Sequence, residues 1–179
     1  MRTTSRRIPS AALLALVLAA VPERGNAAEM SAGVSLGWIR AGTSPRLAVG
    51  PQAGISWSIE RDLLFKVHDL CSFVPPIQAG GSGVYNHTSV AVGYAWKDVD
   101  VSAGPSVAVY LIPACGVRLC GRVAGIAVGG HAQVNVYVAG PLGVSVSANV
   151  DWISGSSLVL PSHVSATFVV GPVLRWSTQ

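Results

Sequence analysis

Charge is what this 179-residue sequence has least of: Asp, Glu, Lys and Arg make up 11% of it, against roughly 25% in soluble domains. So sparsely charged a chain implies that something other than water solvates much of its surface. Long apolar runs are scarce as well. The run Ala11 to Val21 is too short to span a bilayer, and nothing later reaches the roughly 18 uninterrupted apolar residues of a membrane helix. A helical inner-membrane protein is thereby excluded. No cysteine lies near residue 27, so no N-terminal lipid anchor is expected there.

The first 27 residues read as an address. Arg2, Arg6 and Arg7 precede the apolar run, and small residues follow at Gly25 and Ala27, the layout of a cleaved signal peptide. Removing Arg2, Arg6, Arg7, Arg24 and Glu23 with it takes twelve basic and eight acidic residues to eight and seven. The basic isoelectric point thus belongs to the leader, and the remainder has no clustered basic face for nucleic acid. Residues 28–179 are expected to form one domain.

From Ala28 onward the dominant pattern is period two, which favours strands over helices. Leu47, Val49, Ala53, Ile55, Trp57 and Ile59 alternate with Ala48, Gly50, Gln52, Gly54, Ser56 and Ser58: one face is oily, the other small and polar. Similar stretches centre on Leu36, Val92, Val101, Val134, Val146 and Phe168, and a less regular one runs from Leu63 to Val74. About eight strands result, the smallest usual outer-membrane barrel. Connections alternate too. Short links fall near Arg61, Asp98 and Gly140, and longer ones at Ala41 to Pro45, Pro75 to Gly83, Pro113 to Gly121 and Ser154 to Ser162. Short periplasmic turns and longer outer loops are the habit of such barrels.

All five tryptophans sit on the apolar face near a strand end. Trp57, Trp96 and Trp176 are expected at the periplasmic interface, and Trp38 and Trp152 at the outer one, where an indole finds both apolar and polar surroundings. Two features fit badly. Pro51, Pro105 and Pro172 each follow a glycine inside a strand, which predicts bulges that curve the sheet. Asp69 falls on the lipid face unless a bulge near His68 turns it inward.

Phe168, Val170, Leu174 and Trp176 form an alternating last strand closing on an aromatic, and with it the chain resembles the small eight-stranded outer-membrane β-barrels of Gram-negative bacteria. The resemblance covers Ser31 to Trp176. It implies an all-β, up-and-down antiparallel transmembrane barrel, recognised transiently by the barrel assembly machinery and surrounded by membrane lipid and lipopolysaccharide. It implies a location more firmly than an activity, since this class includes structural, adhesive, defensive and enzymatic members.

Cys115 and Cys120 flank a tight loop, and an oxidising compartment favours a disulfide between them over a zinc site that lacks a second ligand pair. Cys71 is left over as a buried thiol. The inward face gathers His131, Gln133, Asn135 and Tyr137 on one strand and Asn149 and Asp151 on the next, with Glu60, Lys66, Lys97, Asp100 and Arg175 toward the periplasmic end. Eight strands enclose only their own side chains, so these residues read as a packed polar network, with no catalytic, metal or cofactor role assigned. His87 with Ser89 and His163 with Ser165 invite a rival reading as a lipid A-modifying enzyme, but both pairs face inward and lack an assigned acidic partner. A soluble lipocalin-like binding barrel is the other alternative, and it requires the oily face inside. The expected function is an outer-membrane barrel of structural or surface-interaction type, with the long loops as its contact surface.

Overall fold

A computed structural model describes residues 28–40, 45–76, 82–115, 120–153 and 163–177. The expected signal peptide and most of the long loops lie outside them. Eight strands follow in order: β1 (Ala28–Arg40), β2 (Pro45–Glu60), β3 (Leu63–Val74), β4 (Gly83–Trp96), β5 (Val99–Cys115), β6 (Cys120–Ala139), β7 (Leu142–Ile153) and β8 (His163–Ser177). Each pairs antiparallel with the next, and β8 closes on β1. Closure leaves no strand edge, so the backbone hydrogen bonds of a chain surrounded by hydrocarbon can all be made within the sheet.

The register fixes the barrel's geometry. Partners followed around the wall run Ala28, Trp57, Phe65, Val92, Ala103, Ala132, Ala148, Phe168 and then Trp38, ten residues further along β1 than the start. A stagger of this size tilts eight strands by roughly 40°. Two-residue turns join the strands at one end, at Arg61–Asp62, Lys97–Asp98 and Gly140–Pro141. At each, the second turn residue accepts a bond from the strand beyond: Asp62 from the Ala95 N–H at 2.8 Å, Asp98 from Tyr137 at 2.7 Å and Pro141 from Arg175 at 2.8 Å. We call this the turn end and the opposite one the loop end.

The glycine–proline steps are not bulges. Pairing lapses for two residues between β2 and β3 at Gly50–Pro51, between β5 and β4 at Gly104–Pro105, and between β8 and β1 at Gly171–Pro172, yet the register is the same on either side. Proline removes the donor, and a Cβ on the preceding glycine would overlap the carbonyl oxygen of Cys71, Val90 or Val34 on the facing strand. The pair therefore relaxes the ladder without inserting a residue. Register shifts occur elsewhere, beside the turns at Ser58/Glu60 and Tyr137/Ala139.

Candidate functional site

The sheet divides the side chains by parity into a lumen and an outer belt. The outer face carries the oil: Val92, Val109, Ile126, Val128, Val150 and Leu174 are among thirty-one exposed large apolar side chains of the described residues. The lumen holds buried Ser, His, Gln, Asn, Asp and Lys together with a smaller apolar group. A lipocalin-like pocket needs the reverse arrangement, and the structure overturns that alternative.

Along the lumen the chemistry changes in layers. Nearest the turn end, Lys66 Nζ lies 2.8 Å from Asp100 Oδ1, and both residues are at least 95% buried. Asn135 Nδ2 donates to the two Asp100 oxygens at 3.0 and 3.1 Å, and the Tyr137 hydroxyl donates to Oδ2 at 3.2 Å. Arg175 stacks on the Tyr137 ring at 3.9 Å and reaches Glu29 at 3.8 Å. All five charges expected toward this end lie there, but only Lys66, Asp100 and Arg175 join the cluster: Glu60 and Lys97 are exposed rather than turned inward, because they border the turns and not a strand interior.

The middle layer is built of imidazoles and amides. His131 Nδ1 meets Asn149 Oδ1 at 2.7 Å, and Gln133 Nε2 donates to the Ser145 hydroxyl at 2.9 Å. His131 stacks on His68, ring centroids 5.1 Å apart. Asp151 accepts from Ser106 at 3.1 Å and from Tyr85 at 3.4 Å, and its Oδ2 lies 3.4 Å from His87 Nδ1 without hydrogen-bond alignment. His131, Gln133, Asn135, Tyr137, Asn149 and Asp151 are all buried in the lumen, though in two groups rather than one. His68, Tyr85 and Ser106 were absent from that expectation. For His68 the parity of Lys66 two residues earlier was the available signal.

At the loop end Ile39, Ala48, Val74, Tyr85, Ala108, Tyr110, Ile112, Ala127 and Ile153 form an apolar plug. Around it the sequence carries charge of one sign. Residues 36–48, 72–86, 108–128 and 150–166 contain Arg40, Arg46, Arg118 and Arg122, and their one acidic residue is Asp151, inside the lumen. Arg40 and Arg122 are exposed.

On the outer face Trp38, Trp96, Trp152 and Trp176 are 46–55% exposed. Trp57 is different: it keeps outward parity opposite Phe65, but the two rings pack at 5.8 Å and Trp57 is only 8% exposed, so it is not an open girdle residue. Trp176 pairs with Met30, and Trp38 stands eight residues above Met30 on β1, an axial rise of about 20 Å for strands so tilted. That approaches the roughly 25 Å apolar band of outer-membrane barrels. Asp69 does face outward, since β3 pairs with β4 without interruption from Leu63 to Val74. Its Oδ1 accepts from Thr88 Oγ1 at 2.8 Å and from Asn86 Nδ2 at 3.4 Å, partners on the neighbouring strand rather than a bulge. Cys115 and Cys120 are the terminal partners of the β5–β6 pairing; their side chains, like that of His163, lie outside the described residues. His87 and Ser89 both point into the lumen.

No protein-family model and no curated protein matches the sequence. Solved structures match the shape. Neisserial surface protein A (NspA) superposes with a TM-score of 0.57 at 12% identity, covering 86% of this chain and 100% of that one. Ail, the attachment invasion locus protein of Yersinia pestis, gives 0.58 at 10% identity over the same shares, and its complex with the heparin analogue sucrose octasulfate gives 0.58 at 9%. This is the fold of the small outer-membrane β-barrels. Such a barrel turns its oil outward and fills its own lumen, which is the division of side chains seen here.

Proposed function

We propose that the chain is an integral outer-membrane barrel of structural or surface-interaction type, inserted with its turn end toward the periplasm and with a lumen filled by its own side chains. The observation that carries this reading is the outward belt, too apolar for a water-facing surface and bounded above and below by tryptophan. Membrane lipid and lipopolysaccharide are its surroundings, and the closing strand ending at Trp176 is the segment the barrel assembly machinery would meet. The loop-end arginines fit anionic sugars or phosphates at the outer surface, consistent in sign with the sulfated sugar bound by Ail.

Refolding of the mature chain in detergent tests the reading. A β-rich protein whose gel mobility changes on boiling is expected, with fractionation into the outer membrane in cells and no steady conductance in planar bilayers. Recovery of a folded monomer from plain buffer would overturn the membrane assignment, and stable single-channel currents would overturn the filled lumen.

A further inference from the structure

Midway along the lumen the polar side chains run out of partners. On β6 the inward residues are Tyr137 and Asn135 in the ionic layer, then Gln133 and His131, and, in the plug, Ala127. On β7, Ser147 and Asn149 occupy the same middle stretch below Ile153 of the plug. Gln52 and His68 face them, Gln52 being paired with Leu70, the inward residue that follows His68. In these six residues seven side-chain atoms are buried without a hydrogen-bond partner among the described residues: both ends of the Gln52 amide, Nε2 of His68 and of His131, Gln133 Oε1, Ser147 Oγ and Asn149 Nδ2.

The rest of the wall is too short to serve them. Ser89 pairs with His68, Ala91 with Lys66 and Ser102 with Gln133, and none of these small inward side chains spans the barrel. Gln52 and Ser147 stand on strands that are not adjacent. Buried polar groups that protein leaves unpaired are ordinarily satisfied by ordered water.

The atoms themselves say what fits. Gln52 Nε2 and Asn149 Nδ2 can only donate, Gln52 Oε1 and Gln133 Oε1 can only accept, and Ser147 Oγ does both. A cation would serve the acceptors alone and would stand close to the Lys66 ammonium; an anion would serve the donors alone. Among the described residues no group of three His, Cys, Asp or Glu is placed to hold a metal ion. A small neutral molecule that both donates and accepts serves every atom.

We propose that the lumen between the ionic layer and the plug is a binding site for a sealed cluster of water, about two or three molecules if each makes about three bonds. The cluster ties β2 and β3 to β6 and β7, walls that meet at this depth through the stacked rings of His68 and His131. The proposal deepens the closed-lumen reading above and rests on it: side chains seal the ends, and water completes the middle.

The isotope-labelled mature chain, refolded in detergent micelles with its boiling shift confirmed, gives the first test. Water-selected nuclear Overhauser spectra are expected to show cross-peaks from long-lived water to the side-chain amide protons of Gln52, Gln133 and Asn149, and none to the methyl groups of Ile39 and Ile153 in the plug. Cross-peaks absent from all three amides would overturn the proposal. Steady currents in planar bilayers would instead sink the closed lumen beneath it. Gln52→Met supplies an independent sign. If water bonds the amide, its loss lowers the urea midpoint at equal slope; in a dry lumen, deleting an amide with neither group satisfied relieves the barrel. A midpoint unchanged or raised by Gln52→Met would therefore overturn the water site while leaving the membrane reading intact.

Discussion

The two ends of the lumen are filled by opposite means. At the turn end Lys66, Asp100, Asn135 and Tyr137 interlock through directional contacts of 2.8–3.2 Å, while at the loop end Ile39, Val74, Tyr110, Ile112 and Ile153 pack without a single required partner. The ionic layer is brittle, because each member depends on the others being present. The apolar layer is graded, because its stabilisation scales with the volume buried. Stability should therefore respond to chemistry at one end and to size at the other.

The largest effect is expected from Asp100→Ala. It strands the buried Lys66 ammonium and removes the acceptor for Asn135 and Tyr137, costing about 3 to 5 kcal/mol, whereas the double change Lys66→Met with Asp100→Leu should cost much less because no charge is left unpaired. Urea titration of the vesicle-inserted barrel measures both. A double variant as unstable as the single one would show that the ion pair is more than a mutually dependent couple.

Next comes Ile153→Ala in the plug, fully buried and expected to cost about 2 to 4 kcal/mol through the cavity it leaves. Ile153→Val should cost about 1 kcal/mol in the same titration, and this dependence on size is what the turn end should lack. A plug indifferent to both changes would mean that the loop end is not packed in the membrane.

Asn149→Leu probes the layer between. It deprives His131 of its 2.7 Å partner and should destabilise by about 1 to 3 kcal/mol, the cost of a buried group left unsatisfied. Unchanged stability would show that the imidazole is satisfied by other means.

The halves of this comparison were unequally readable from the sequence. Period two placed His131, Gln133, Asn135 and Tyr137 on one face because β6 alternates without interruption, so every odd position from Ala127 to Tyr137 shares a direction. β3 defeated the same logic. Its lumen side carries Leu64, Leu70 and Val74 beside Lys66 and His68, and its outer side carries Asp69 and Cys71, so neither face is uniformly oily. Alternation shows direction only where the two faces differ in polarity, and here hydrogen bonds to Thr88 and Asn86 on the next strand compensate for the misplaced carboxylate. Trp57 shows the same limit at shorter range: parity placed it outward, but burial by Phe65 depends on which strand is adjacent, which no local pattern encodes. The plug went unrecognised because Ile39, Ile112 and Ile153 each sit where an outward apolar strand turns into a loop, and only the register brings them together.

The smallest effect, and the sharpest test of where one layer gives way to the other, is expected from Tyr85→Phe. Tyr85 belongs to both. Its ring is fully buried in the plug, stacked on Tyr110 at 5.8 Å, and its hydroxyl reaches down to Asp151 at 3.4 Å. If the plug holds Tyr85 in place, removing the hydroxyl costs only a long hydrogen bond to a carboxylate that keeps Ser106 at 3.1 Å, about 0.5 to 1 kcal/mol. Tyr85→Ala, which also removes the ring, should then cost several times more. The ratio between the two variants, read from their urea midpoints at equal slope, says which layer owns the residue. A Phe variant as damaging as the Ala variant would mean that Asp151, not the plug, anchors Tyr85, and that the polar network extends to the loop end of the lumen.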